Sequence, residues 1–116
     1  MKHKMIIDEN NLTIYDYKNA GLFSDELVED NKSVIPTHVI KLVQKAYHKD
    51  GTVSIAIFFE TEDQECFYTQ NDLLNNLEEL FNNFIEVRDK LKQTQKLKYI
   101  YRIEEYNVET KETIDK

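Results

Sequence analysis

Apolar residues in the second half of the chain recur at intervals of four and three: Leu73, Leu77, Leu80, Phe84, Val87 and Leu91. This spacing keeps the six side chains on one side of an α-helix. Three more apolar residues widen the stripe beyond the seam of a simple coiled coil: Leu74, Phe81 and Ile85. Thr69 and Asp72 have the spacing of a capping box, with Asp in place of Glu or Gln. The pattern predicts a helix over about 70–94 that lies across a sheet.

The N-terminal third of the chain has a pattern typical of a β-hairpin. Residues 5–7 and 12–17 are rich in β-branched and aromatic side chains, and the polar connection 8–11 between them has a common hairpin length. Further on, the Ser24 hydroxyl precedes two carboxylates, which favour the positive end of a helix. We therefore expect a hairpin followed by a short helix over 25–30.

The segment 37–48 fits two structures. Its apolar residues suit a helical stripe that starts near Pro36, but Asp50-Gly51 is a strong hairpin signal and residues 52–59 read as a strand. The strand is the favoured interpretation of 37–48. After the polar turn 61–64, the segment 65–68 predicts a third strand of this group.

The C-terminal part of the chain changes to a period of two. One face has Leu97, Tyr99, Tyr101 and Ile103, and the other has Lys98, Ile100 and Arg102, which predicts a strand. Residues 106–108 and 113–114 flank a polar turn, so this end either forms a return strand or frays over about 110–116. The elements together predict a single α+β domain over 1–116, with a mainly antiparallel sheet and one long helix packed on a face.

The composition excludes several classes of function. The chain has 116 residues, a net charge of -7, two glycines and one cysteine. So few glycines leave no place for a phosphate-binding loop, a dinucleotide fingerprint or a nucleophile elbow. We find neither a basic and apolar leader nor an apolar run of 18 residues, so we expect a cytoplasmic protein without a membrane segment. Lysines outnumber arginines thirteen to two, as in proteins of low-GC bacteria and their phages.

Candidate catalytic and metal-binding residues are sparse. His3, His38 and His48 are scattered, and Cys66 has no second cysteine two to four residues away, so the spacing of a zinc site is missing. Acidic neighbours of Cys66 disfavour a thiolate nucleophile. The carboxylates around it lack the ligand spacing and the turn glycine of a calcium loop. We therefore predict no catalytic residue, no metal and no cofactor.

The distribution of charge along the chain is uneven. Residues 50–87 contain nine acidic and no basic residues, whereas 88–102 contain six basic residues and one acidic residue. Acids early in the helix and bases late in it complement the helix dipole, but the dipole does not account for 38 residues without a base. We predict an acidic face that binds a basic partner surface and contains seven residues: Glu60, Glu62, Asp63, Glu65, Asp72, Glu78 and Glu79.

The aromatic residues are predicted mostly to fill the core. This group comprises Phe58, Phe59, Phe67, Phe81, Phe84, Tyr99 and Tyr101. Tyr15, Tyr17 and Tyr106 are candidates for exposed interface residues. Tyr99 and Tyr101 could instead stack on a single-stranded nucleic acid, with Lys98 and Arg102 neutralising its phosphates. The surrounding negative charge disfavours this alternative.

These patterns favour a small, acidic, non-enzymatic binding protein. The leading hypothesis is an inhibitor from a phage or mobile element that occupies a basic, nucleic-acid-binding surface of a host or defence protein, as a nucleic-acid mimic. The alternatives are an immunity protein that neutralises a cognate toxin, a small enzyme and a binder of single-stranded nucleic acid. The width of the helical apolar stripe also suggests a homodimer.

Overall fold

A computed structural model describes residues 2–70, 73–94 and 100–116 of the chain. Within these ranges the chain forms two sheets and one long helix, as the α+β prediction requires. The elements in chain order are β1 (Lys2–Ile7), β2 (Asn11–Asn19), β3 (Leu27–Pro36), a 3-10 turn (Thr37–Val39), β4 (Ile40–Tyr47), β5 (Val53–Thr61), β6 (Gln64–Gln70), α1 (Leu77–Thr94), β7 (Arg102–Asn107) and β8 (Thr113–Asp115).

The first sheet has three antiparallel strands in the order β1-β2-β3. The predicted hairpin is confirmed, and the Asp8 carboxylate closes its turn by accepting hydrogen bonds from the Asn10 and Asn11 amides. The predicted helix over 25–30 is wrong, because β3 pairs along β2 from Leu27 onward. The Ser24 hydroxyl accepts a bond from the Glu26 amide and so closes a turn rather than capping a helix.

The second sheet has five strands in the order β6-β5-β4-β7-β8. The favoured strand over 37–48 is confirmed as β4, preceded by the 3-10 turn, and β5 and β6 follow as predicted. Gly51 has a φ of 86° in the β4–β5 connection, where the absence of a Cβ is an advantage. The predicted alternation ends as β7, which runs parallel to β4, and β8 forms the return strand beside it. Leu97 and Tyr99 lie outside the described residues.

The long helix is confirmed, but it begins at Leu77 rather than near 70. Its cap is Asn76, whose side-chain oxygen accepts a hydrogen bond from the Glu79 amide at 3.0 Å. The predicted capping box is wrong, since Thr69 belongs to β6. Asp72, the other member of that box, lies outside the described residues.

The segment before the helix is held by β1. Leu73 forms a parallel bridge with His3, and the Leu74 amide donates to the His3 carbonyl at 2.7 Å. The Asn75 amide group makes two hydrogen bonds to the backbone of Met5. Leu73 therefore continues the apolar spacing of the helix because it packs against the core, although it is not helical.

One hydrophobic core joins both sheets to α1. Met5, Leu12 and Ile14 from the first sheet share it with Phe84 and with inward residues of the second sheet. Tyr101 packs edge-on against Phe84, with ring centroids 6.2 Å apart, and its hydroxyl donates to the Phe84 carbonyl. Burial raises the pKa of Tyr101, which keeps this phenol neutral.

The wide apolar stripe of α1 is covered within one chain. Phe81 is buried, and Ile85 and Leu77 pack partly buried against the core. Leu74, the exposed member of the stripe, precedes the helix. The observation that suggested a dimer through this helix is therefore absent from the structure.

Candidate partner-binding site

The β5–β6 hairpin brings four of the predicted site residues together: Glu60, Glu62, Asp63 and Glu65. We call these residues the acidic hairpin. Glu60 and Glu65 are cross-strand partners on the same face of the sheet, and Glu62 and Asp63 form the two-residue turn between the strands. Like charges directly opposite each other repel. The hairpin thus concentrates negative charge at one end of the five-stranded sheet.

Lys41 partly neutralises this charge. It lies at an irregularity of the β4–β5 pairing, between Ile40 and Leu42. Its Nζ lies 2.8 Å from Glu60 Oε2 and 3.9 Å from Glu65 Oε1. The Glu65 side chain nevertheless remains 87% exposed, and both turn carboxylates face solvent. One lysine against four carboxylates leaves the hairpin strongly acidic.

The turn of the acidic hairpin has an unusual backbone. Glu62 and Asp63 have φ values of 49° and 63°, the left-handed region at both central positions. A two-residue hairpin turn with this pattern normally takes Asn-Gly. Each non-glycine residue in the left-handed region costs about 1–3 kcal/mol. The chain therefore keeps two carboxylates in the turn at a cost in stability.

This cost predicts a stabilising substitution. We expect Glu62→Asn with Asp63→Gly to raise the free energy of unfolding by about 1–2 kcal/mol, because Asn and Gly adopt a positive φ readily. The matched control is Glu62→Gln with Asp63→Gln, which removes the same charge and keeps the strain. Urea unfolding of the three proteins measures the difference. Equal midpoints for the two variants would contradict the strained-turn account.

An aromatic pair lies beside the acids on the same face. Phe58 and Phe67 are cross-strand partners with ring centroids 4.9 Å apart. The sequence prediction that both fill the core is wrong: Phe67 is 58% exposed, and neither ring belongs to the core cluster. The reason is the alternation of the strands, which directs Ile57 and Phe59 toward the core and Phe58 away from it. We call the side of the five-stranded sheet that carries Phe58, Glu60, Glu65 and Phe67 the outer face.

The other predicted acids are not part of this cluster. Glu78 and Glu79 lie exposed in the first turn of α1, and Glu78 lines a cleft with Lys45. Through Ile55, Lys45 is in register with Gln70, which is the end of β6 far from the turn. The length of β6, about 20 Å, therefore separates Glu78 from the acidic hairpin. This separation is larger than the screening length of about 10 Å at 0.1 M salt. Asp72, the seventh predicted residue, lies outside the described residues.

Two further polar contacts lie at opposite ends of the β5 strand, one at Cys66 near the turn and one between His48 and Ser54 at the far end. The Cys66 sulfur contacts the Thr61 hydroxyl at 3.4 Å, and His48 Nε2 lies 2.8 Å from Ser54 Oγ. Among the described residues, no group of three His, Cys, Asp or Glu side chains could hold a metal ion. Nor does the described part contain a helix long and apolar enough to cross a bilayer.

Sequence reasoning missed Lys41 and the exposure of Phe67. Lys41 approaches the acids only through the β4–β5 register, for which the local sequence carries no signal. A signal for Phe67 was available, because Glu65, Phe67 and Thr69 alternate with Cys66 and Tyr68, and a charged residue marks the solvent side.

Comparisons of the chain with protein-family models, with curated proteins and with solved structures give no match.

Proposed function

We propose that this chain is a non-enzymatic binding protein whose acidic hairpin and outer face dock on a basic surface of a protein partner. The observation that carries the proposal is the position of an exposed aromatic ring, Phe67, on the same face as Glu60 and Glu65, the cross-strand pair that lies between it and the turn. An apolar centre with a charged rim is the usual anatomy of a protein interface.

The two parts of this surface have different tasks. The carboxylates steer a basic partner during encounter and fix its orientation, since exposed charges act mainly on association rate and specificity. Phe67, backed by Phe58, offers the aromatic area that anchors such complexes. Lys41 holds Glu60 in place and lies 3.9 Å from Glu65, which is still 87% exposed, so Glu62, Asp63 and the outer part of Glu65 face the partner.

We favour one class of function: an inhibitor that occupies a nucleic-acid-binding surface of a host or defence protein. Such surfaces are rich in lysine and arginine and expose groups that neutralise phosphate. A clustered set of carboxylates beside a ring presents both the charge and the stacking surface that these sites accept. An immunity protein directed against a basic toxin would use the same surface, and the identity of the captured partner distinguishes the two classes.

The test is an affinity capture with matched variants. The hairpin variant is Glu60→Gln, Glu62→Gln, Asp63→Asn and Glu65→Gln. The control variant removes the same four charges from exposed positions elsewhere: Glu9→Gln, Glu86→Gln, Glu109→Gln and Glu112→Gln. From lysates of low-GC bacteria, we expect the wild type and the control to retain the same protein, and the hairpin variant to lose it. Equal retention by all three would contradict the proposal.

A further inference from the structure

β3 is an outermost strand of the three-stranded sheet, and its outer edge is open. It is the last strand in the order β1-β2-β3, and every residue from Leu27 to Val34 is exposed. Within the described ranges of the chain, β2 is the only strand that pairs with it. An open strand edge presents unpaired N–H and C=O groups, which can bond to a further strand. β3 therefore offers an edge on which another chain can add a strand.

The opposite edge of the same sheet, along β1, is closed by the chain itself. The Leu74 amide donates to the His3 carbonyl at 2.7 Å. The Asn75 side chain bonds both the N–H and the C=O of Met5. Proteins usually protect their strand edges in such ways, because an open edge invites pairing between molecules. The contrast between β1 and β3 marks the β3 edge as an interaction surface.

A bulge in β3 decides which of its side chains share a face. Asn31 lies opposite Asp16, and Glu29 lies opposite Tyr17, so Asp30 is an extra residue. Cross-strand partners point to the same face of a sheet, as do alternate residues of one strand. The register with β2 therefore places four side chains of β3 on the face of Tyr17: Leu27, Glu29, Lys32 and Val34. Without the bulge, the first two and the last two would lie on opposite faces.

These four side chains are complementary to the same four in reverse order. Along the chain they are apolar, acidic, basic and apolar. Two copies of β3 can pair antiparallel about a twofold axis that passes between residues 30 and 31. Glu29 of each copy then lies opposite Lys32 of the other copy. Leu27 of each copy lies opposite Val34 of the other. An axis through residue 29, 30 or 32 would instead set like charges against each other, which is destabilising.

The two charges needed for this pairing have no oppositely charged partner in their own chain. β3 has three charged residues: Glu29, Asp30 and Lys32. Asp30 is neutralised by Lys18, whose Nζ lies 2.9 Å from its carboxylate. In the part of the chain that the structure describes, Glu29 and Lys32 form no ion pair. Lys32 Nζ lies 5.9 Å from the centre of the Tyr15 ring, on the face that the register predicts. A second copy of β3 would pair both of these charges.

We propose that two copies of the chain form a dimer through β3, in which their three-stranded sheets join into one antiparallel sheet of six strands. Main-chain hydrogen bonds along the edge supply the attraction, and the Glu29–Lys32 pairs fix the register. Charged residues and bulges usually discourage a strand edge from pairing. In β3 they disfavour strands of other sequence and match the same strand in reverse. The acidic hairpin belongs to the other sheet, so this proposal and the proposed function fail independently.

Sedimentation equilibrium over about 1 to 500 µM tests the dimer with charge exchanges. We expect reversible dimerisation of the wild type. Glu29→Lys should weaken association at least about tenfold, because Lys then faces Lys at two symmetric positions. The double variant Glu29→Lys with Lys32→Glu should dimerise like the wild type, since opposite charges meet again. The matched control is Glu109→Lys, which makes the same change of charge at an exposed turn residue and should leave dimerisation unchanged.

Three results would overturn the proposal. The first is a wild type that remains monomeric over the whole concentration range. The second is a dimer that Glu29→Lys does not weaken. The third is a double variant that fails to regain dimerisation, because restored charge complementarity is the reason for choosing a second copy as the occupant of the edge.

Hydrogen exchange of the wild type at about 1 and 500 µM locates the interface. Amides within residues 27–34 should exchange more slowly at the higher concentration, because those on the open edge become hydrogen-bonded to the second copy. Amides of the acidic hairpin should exchange at the same rate at both concentrations. Slower exchange confined to another segment would place the dimer interface elsewhere and contradict the β3 arrangement.

Discussion

Phe84→Ala should lower the free energy of unfolding by about 3–5 kcal/mol, the range for truncating a buried Phe. Phe84 is fully buried, and its ring packs edge-on against Tyr101, which has no other large ring at comparable distance in the described core. This loss is a large fraction of the total free energy of unfolding of a domain, which is about 5–15 kcal/mol. The variant should unfold at far lower urea concentration than the wild type.

The matched control is Phe67→Ala, which removes the same side chain from a position that is 58% exposed. We expect a loss of less than about 1 kcal/mol there, because surface substitutions rarely cost more. Leu77→Ala should fall between the two, since Leu77 packs against the core only partly buried at the start of the helix. Losses of similar size for Phe84→Ala and Phe67→Ala would contradict the description of the core.

The buried face of α1 and most of the strands can be predicted from the sequence. Burial on one face gives the apolar residues a regular spacing, and this spacing is visible in a single sequence. Leu80, Phe84 and Val87 are buried as the spacing predicts. The start of the helix was not predictable in this way, since Leu73 shares the same spacing from a bridge to β1. Periodicity reports which side chains are buried and leaves the backbone conformation open.

Nonlocal pairing accounts for the other differences. The segment 25–30 has local helix signals, but the edge of β2 provides hydrogen-bond partners that only the folded chain possesses. The parallel pairing of β4 with β7 likewise joins segments about sixty residues apart. The same holds for the candidate site. Local sequence identifies the acids, and the alternation along β6 carries a signal for the exposure of Phe67, whereas the approach of Lys41 emerges only from the register of the sheet.

Neutralising the acidic hairpin should have its main effect on the rate of association with the captured partner. Surface charges rarely contribute more than about 1 kcal/mol to stability, so the four-residue hairpin variant should fold normally. At low salt, losing the electrostatic attraction between the four carboxylates and the basic partner should slow association by about tenfold or more. The four-residue control variant has the same net charge and should associate almost as fast as the wild type, because its lost charges lie away from the hairpin.

The central claim is that the acidic hairpin is the surface that meets a basic partner, and association kinetics at two salt concentrations tests it most directly. The wild type and the control variant should associate much faster than the hairpin variant at low salt. All three rates should converge at high salt, where exposed charges are screened within about 3 Å at 1 M. Equal rates for the wild type and the hairpin variant at low salt would contradict the claim.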